Sequence, residues 1–415
     1  MIKNWILPLW IGRRLRHADS SGRSFSGPVI AVVTAAIAVS SVVMIIAIVT
    51  GTGLQHEIKN KIYSFRGHVQ IKKYVDDDDL LESESILLTN DLLSAIKAHP
   101  SVRHVQSSAY RTAILKSTNY FEGCVLKGID EHFDASRLAS YIKEGTFFRK
   151  LKGTESDSIV LSAYHARVLD VKAGDRLAVY FIREAPKTPL LRYLIVSGIY
   201  ESGVEDVDKQ FAWVDIDLIR SINRWEADEA GAVEVFLKEG SDPERVAEEL
   251  SALLPFDLQS VSAKMAFRQL FQWMDLFDIN ILIIIIVMVV VSAINLSSAL
   301  MILIVERTRM IGLLKALGAE NTLITKIFLY KAFVILTRGL FIGNAIALGY
   351  AWMQRTWKII KLDQTAYFVD SVPVYFDLGW ILSVNTGTLV MCLLILLVPS
   401  RYISAIPAAR VLKFE

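Results

Sequence analysis

Four apolar runs dominate this sequence, and each is long enough to cross a bilayer. Val29–Thr50 carries no charged residue, and Ile279–Val305 contains an almost unbroken branched-aliphatic stretch from Ile281 to Val291. Ile327–Trp352 is interrupted by Lys331 and Arg338, and Gly379–Val398 stops at Pro399. A helix rises about 1.5 Å per residue, so roughly 20 residues match a hydrocarbon core of about 30 Å. The spacing predicts membrane spans at 29–50, 279–305, 327–352 and 379–398. The first run is too long for a signal-peptide core, and the segment before it is too long for the basic leader of one. It reads as an uncleaved span.

The rest of the chain has a different character. Of the 415 residues, 53% are apolar, yet 21% are charged. With the apolar residues gathered in four runs, the charge falls mostly between them, above all in residues 51–278. That region predicts a large water-facing domain between the first two spans. A net charge of +2 and the lack of a basic stripe interleaved with aromatics exclude a nucleic-acid partner. Of the two cysteines, Cys124 lies in the polar region and Cys392 in the fourth run, so neither a disulfide framework nor a thiolate metal site follows.

Lys and Arg in short flanking segments set orientation. The segment 1–28 carries Lys3, Arg13, Arg14, Arg16 and Arg23 against the single acid Asp19. The loop 306–326 carries Arg307, Arg309 and Lys315, and the tail 399–415 carries Arg401, Arg410 and Lys413. In the loop 353–378, Arg355, Lys358 and Lys361 are balanced by Asp363, Asp370 and Asp377. Four spans put the three basic segments on one side. Both termini are expected in the cytoplasm and 51–278 outside it.

Residues 51–278 read as mixed α/β. Val102–Leu115, Ala178–Ile182, Tyr193–Ile199 and Ala232–Leu237 have strand character. Ser241–Leu254 reads as a helix, with Ser241 or Asp242 as N-cap and Pro243 in the first turn. The run Asp76–Asp79 lacks the spacing and glycine of a calcium loop and reads as a solvated loop. At the two ends of the region, helical periodicity continues beyond the spans. Leu54, Ile58, Ile62 and Phe65 share a face after the first span, with His56, Glu57, Lys59, Asn60 and Lys61 on the other. Met265, Leu270, Phe271, Met274 and Phe277 form an apolar face before the second. Either these faces belong to helical stalks reaching about 22 Å beyond the bilayer over roughly 15 residues, or they pack inside the domain.

Several catalytic patterns are missing. No G-x-x-x-x-G-K-[ST] phosphate loop is present, and His56-Glu57 begins a zinc-protease motif that Asn60 breaks. The seven histidines fall without ligand spacing, and no serine occupies a G-x-S-x-G elbow. The chain reads as a non-enzyme with no cofactor or metal of its own.

The most informative segment is Val305–Gly318, VERTRMIGLLKALG, between the second and third runs. Met310, Leu313, Leu314 and Leu317 fall on one helical stripe, Arg307, Arg309 and Lys315 carry charge, and Gly318 is placed to end the helix. Such a helix suits a groove on another protein, or an interfacial position on lipid. With Glu306 and Ala319 included, the segment resembles the signature of the FtsX-like permeases, the membrane subunits of type VII ABC transporters. INLSSALMILIVE, GLFIGNAIALG and the closing PSRYISAIPAARVLKFE resemble three further family segments, with Val411 where the closing motif has alanine. RRLRHADSSGRSFSGPVIAVVTAAIAV resembles the opening of the lipoprotein-releasing LolC/LolE branch.

The resemblance implies a four-helix membrane protein with a MacB-like periplasmic domain, porter-like over 51–140 and 232–278 and Sabre-like over 141–231. It implies coupling to a cytoplasmic, LolD-like ATPase through Glu306, Arg307, Arg309, Met310, Leu313, Leu314, Leu317 and Gly318. ATP would be bound by that partner. Mechanotransmission would run along stalks marked by Leu54, Ile58, Ile62, Phe271 and Met274. A second permease subunit, as homo- or heterodimer, a lipoprotein substrate and a LolA-like carrier are the other partners implied. The counterpart of a carrier hook is Phe181–Arg192, with Pro186 and Pro189, and an ordinary hairpin explains it as well. MacB-like export, FtsX-like control of cell-wall hydrolases and an ATPase-independent scaffold are the alternatives.

Three polar or small-residue features fall inside the spans. Arg338, about 11 residues into the third run, either has a functional role or snorkels, since a charge at mid-bilayer costs about 2.5–3.5 kcal/mol. Asn295 and the Gly339/Gly343 pair suit helix packing.

Overall fold

The computed structural model describes residues 26–74, 83–147, 156–182, 188–362 and 369–400. The Asp76–Asp79 run, the basic segment before residue 26, Pro186 and the closing motif from Arg401 onward lie outside the described residues.

Among the described residues, four helices are long and apolar enough to cross a membrane. They are α1 (Ser26–Arg66), α8 (Arg268–Glu306), α10 (Asn321–Trp357) and α11 (Leu378–Ile395). The first three run well past their apolar stretches. At 41 residues, α1 continues through Thr50 into the amphipathic sequence, and α8 begins before the second apolar run. Thr34, Thr50 and Thr52 return their hydroxyls to carbonyls one turn back, which satisfies these three donors within an apolar helix.

By compactness the chain divides into two units. One comprises residues 1–55, 274–361 and 372–415; the other comprises 56–273 and 362–371.

The first unit is helical. Its core gathers Ile37 from α1, Leu300 and Ile304 from α8, Phe328 and Leu336 from α10, and Cys392 from α11. Glycine permits one close approach. A Cβ at Gly339 would lie 2.6 Å from Ile37 Cγ2, and one at Gly343 would lie 2.5 Å from the Ala38 carbonyl. The Gly339/Gly343 pair thus lets α10 meet α1 nearly backbone to backbone.

Among the described residues, the second unit is built on a ten-stranded sheet. Six of its strands, β3 (Val102–Lys116), β4 (Phe121–Ile129), β6 (Ser158–Ser162), β7 (Arg176–Phe181), β8 (Leu190–Tyr200) and β9 (Phe211–Asp215), close on themselves. The circuit runs β3–β4–β9–β6–β8–β7 and returns to β3 through Ile114↔Tyr180 and Lys116↔Ala178. Leu115, Leu126, Leu161, Val179, Leu194 and Val214 fill it, all fully buried. Closure removes two sheet edges. The pairing is mixed, since β4·β9 and β6·β8 are parallel and the other rungs antiparallel.

A flank leaves this barrel at β3 through β11 (Ala232–Leu237), β1 (Val69–Lys73) and β12 (Leu258–Ser262). Helices α2 (Asn90–Ala98) and α6 (Pro243–Ser251) cover it, their cores joined through Ile96, Val246 and Leu250. Asp242 caps α6 by accepting from the Glu244 amide, with Pro243 in the first turn. The sheet is continuous across residues 140 and 231, so the expected porter-like and Sabre-like parts share hydrogen-bonded strands.

Two assignments within the second unit are corrected. Lys61, expected on the polar face of α1, is buried; its Nζ donates to the Ser202 carbonyl at 2.8 Å, and Tyr141 lies 5.9 Å below it. Met265, expected on the apolar face before the second span, is exposed. It belongs to a separate turn, α7 (Ala263–Ala266), which Ser262 caps, and Phe267 breaks helical geometry before α8 starts.

Candidate functional site

The segment leaving α8 turns at Arg307 and forms α9 (Thr308–Ala316). Its end is a Schellman arrangement: Gly318 has φ +85°, its amide donates to the Lys315 carbonyl, and the Ala319 amide donates to Leu314. Only a residue free of Cβ adopts that φ without strain, so Gly318 fixes where α9 stops and α10 can begin.

The structure divides the expected apolar stripe in two. Ile311 is fully buried, and Met310 and Leu314 pack against the helical core. Leu313 and Leu317 are 55% and 77% exposed, and Glu306 and Arg309 are exposed beside them. The division has a simple cause: Ile311 is taken into the helical core, which leaves Leu313 and Leu317 on the outer edge of the stripe. Arg307 and Lys315 are half-buried. Leu313 and Leu317 thus stand bare beside the opposite charges of Glu306 and Arg309, on or at the end of a short helix between two long ones.

Within the spans, Asn295 is half-buried and Arg338 is exposed. A stronger polar contact went unnoticed in the sequence. Asn344 Nδ2 donates to Asn385 Oδ1 at 2.8 Å, and Asn385 Nδ2 returns a 3.2 Å bond to Asn344 Oδ1, joining α10 to α11. Two carboxamides one per helix, each in an apolar run, are the signal that could have found it.

Leu54, Ile58, Ile62, Phe271 and Met274, the residues expected to mark stalks, are all buried. In the second unit, the end of α1 is anchored by a polar cluster that no motif announces. Lys127, on β4, and Glu234, on β11, pair at 2.7 Å with side chains 3% and 0% exposed. Lys127 also donates to the Phe65 carbonyl in the last turn of α1. Glu234 accepts from Tyr110 Oη and Gln106 Nε2, both at 2.8 Å. Arg66, the final residue of α1, donates from Nε and Nη2 to Gln70 Oε1 at 3.0 and 2.9 Å and stacks over Phe267, 5.5 Å away. Trp213 lies 4.9 Å under Lys127.

Electrostatics agree with this geometry. Burial alone would raise the Glu234 pKa, but the Lys127 charge and the bonds from Lys127, Tyr110 and Gln106 hold it below the usual carboxylate range. Burial lowers the Lys127 pKa, and Glu234 opposes that shift. A helix end carries a partial negative charge, so an ammonium on its terminal carbonyl is favourable. Arg66 and Phe267 place the last residue of α1 against the residue just before α8. The cluster fastens one helix end to strands and the approach to the other.

The β7–β8 hairpin is present, paired from Arg176↔Ile195 to Phe181↔Leu190. Pro189 lies at its described base. Among the described residues no group of three His, Cys, Asp or Glu is placed to hold a metal. Cys124 and Cys392 are buried and free, and burial pushes the Cys124 thiol well up.

Fold and site together define a multi-pass membrane protein carrying a large α/β domain of periplasmic type between its first two spanning helices. Residues 282–408 match the FtsX-like permease C-terminal family, and residues 29–253 match the MacB-like periplasmic core domain. The chain belongs to the FtsX-like permeases with a MacB-like periplasmic core, and is an ABC-type permease. It is 23% identical to the lipoprotein-releasing system transmembrane protein LolC of Neisseria meningitidis serogroup B, over 99% of each chain. It is 20% identical to the corresponding LolE of Haemophilus influenzae, over 91% of this chain and 92% of that one. The crystal structure of the periplasmic region of MacB from Actinobacillus actinomycetemcomitans matches 49% of this chain and 91% of its own, at 12% identity and a TM-score of 0.34. Membership implies a non-catalytic transmembrane subunit working with an ABC ATPase partner.

Proposed function

We propose that this chain is the permease subunit of a transporter that lifts lipoproteins out of the bacterial inner membrane and passes them toward the outer membrane. The observation that carries this reading is the length of the similarity to LolC, 99% of each chain, spans and outer domain alike. In this reading both termini are cytoplasmic and the α/β domain is periplasmic, its porter-like part 51–140 and 232–278 and its Sabre-like part 141–231.

A LolD-like ATPase docks on α9, with Leu313 and Leu317 as anchors and Glu306 and Arg309 as flanking charges. Closure of the ATPase on ATP displaces α9, and α1 and α8 carry the motion outward as stalks. Their buried faces at Ile58, Ile62, Phe271 and Met274 transmit it by packing. A second permease subunit completes the complex, and the β7–β8 hairpin with Pro186 and Pro189 offers a LolA-like carrier its contact.

Depletion in a Gram-negative host tests the cargo. Outer-membrane lipoproteins accumulate in the inner membrane within a few generations if the reading holds. Normal lipoprotein sorting together with lost drug or toxin export assigns the chain to MacB-like export instead, and deregulated cell-wall hydrolysis assigns it to FtsX-like control.

A further inference from the structure

Between α1 and α10 lies a groove of about 780 Å³, lined by Gly27, Ala31 and Ala35 on one side and Arg338, Phe341 and Ile342 on the other. Both walls belong to the helical unit. The groove exists because the two helices touch at Gly339 and Gly343 and separate toward the start of α1, where small residues leave space.

The charge in this groove has a definite position. Gly339 packs against the Thr34 carbonyl, so Arg338 lies beside Thr34. That is about one and a half turns, roughly 7 Å of rise, inside the apolar run that starts at Val29. A guanidinium on a long side chain spans that distance and reaches the headgroup level of the leaflet nearer the α1 N-terminus. Among the described residues none hydrogen-bonds to Arg338 or pairs with it. Deeper into the bilayer the lining becomes wholly apolar, and Phe341 and Ile342 are 75% and 45% exposed.

Charge at the headgroup end and exposed hydrocarbon below it are the polarity of a phospholipid. We infer that this groove binds an anionic phospholipid of that leaflet, its phosphate held by the Arg338 guanidinium and one acyl chain lying along Ala35, Phe341 and Ile342. A guanidinium offers two parallel N–H donors to phosphate oxygens, and a net negative headgroup satisfies a charge held within the apolar run better than a zwitterion. This site goes beyond the cargo reading, because it requires neither lipoprotein nor ATPase.

Full-length protein reconstituted in nanodiscs of phosphatidylglycerol and phosphatidylcholine, then released into detergent, tests it by native mass spectrometry. Wild type retains phosphatidylglycerol over phosphatidylcholine, Arg338→Gln loses that retention at least tenfold, and Arg338→Lys keeps part of it. An unchanged melting temperature separates loss of the site from loss of the fold, and a photo-crosslinker at Ile342 gives an independent readout as a lipid adduct. Equal retention of both lipids by wild type, unchanged retention by Arg338→Gln, or crosslinking at Ile342 solely to a second copy of the chain would overturn the inference. A chain that retains the lipid but leaves lipoprotein sorting untouched contradicts only the cargo reading.

Discussion

Lys127 Nζ and Glu234 Oε1 lie 2.7 Å apart with both side chains buried, and the same ammonium holds the carbonyl of Phe65 at the end of α1. Removing one partner leaves an uncompensated charge in the domain interior, which typically costs about 3–5 kcal/mol. Lys127→Met and Glu234→Gln each lower the melting temperature of the α/β domain. Hydrogen exchange sharpens the expectation: amides in the last turn of α1 lose protection in Lys127→Met, because the anchor on Phe65 has gone. Unchanged exchange there would detach the pair from the helix end. The double change Lys127→Met/Glu234→Leu costs less than the two singles added, since it leaves no unpaired charge.

Acid acts on the domain through two imidazoles. Burial holds His165 at about 4, below the ordinary 6.5. Burial, with Arg137 nearby, brings His68 to about 4 as well. A depressed folded pKa means that the unfolded chain binds the proton first. The stability from keeping these rings neutral is fully present above about pH 6.5 and is lost as pH falls toward 4. For fully buried His165 the loss reaches at most about 3 kcal/mol. Asp130 and Asp208, whose pKa values burial raises, oppose the trend at the acid end. Melting followed by tryptophan fluorescence falls between pH 7 and pH 5, and His165→Gln flattens the curve over that range.

Close packing of α1 and α10 gives a test with a built-in control. A Cβ at Gly339 meets Ile37 Cγ2 at 2.6 Å and Ile37 Cβ at 2.8 Å, whereas one at Gly349 meets nothing within 4 Å. Gly339→Leu forces the helices apart and destabilises the helical unit by about 1–3 kcal/mol, the usual cost of overpacking. Gly349→Ala, on the same helix, leaves thermal stability in detergent unchanged. Equal effects from both would show that helix propensity, rather than the contact with Ile37, governs the outcome.

Much of the fold was legible because water and hydrocarbon impose separate patterns on a chain. The apolar runs from Val29, Ile279, Ile327 and Gly379 correspond to four spanning helices, since a bilayer leaves no other use for such runs. Local chemistry was equally readable. Ala232–Leu237 is β11 as expected, and Asp242 and Pro243 open α6. What sequence could not convey is distance in space. Barrel closure needs Ile114 beside Tyr180, and the anchor needs Lys127 beside Glu234, pairs whose members lie on strands far apart in the chain. Lys61 and the charged pair look solvent-facing by residue type, and only tertiary packing supplies their partners. On α9 the four apolar positions were legible from their spacing, but their division between core and solvent was not, because it depends on Ile311 entering the helical core.

The central claim is that α9 receives an ATPase. Affinity purification of the tagged full chain from its host, with the bound proteins identified by mass spectrometry, tests it most directly. Wild type is expected to bring down an ABC ATPase in near-stoichiometric amount, and Leu313→Asp or Leu317→Asp to reduce that recovery at least tenfold while the chain stays folded in the membrane. Recovery of no ATPase with wild type, or undiminished recovery with both aspartate variants, would contradict it.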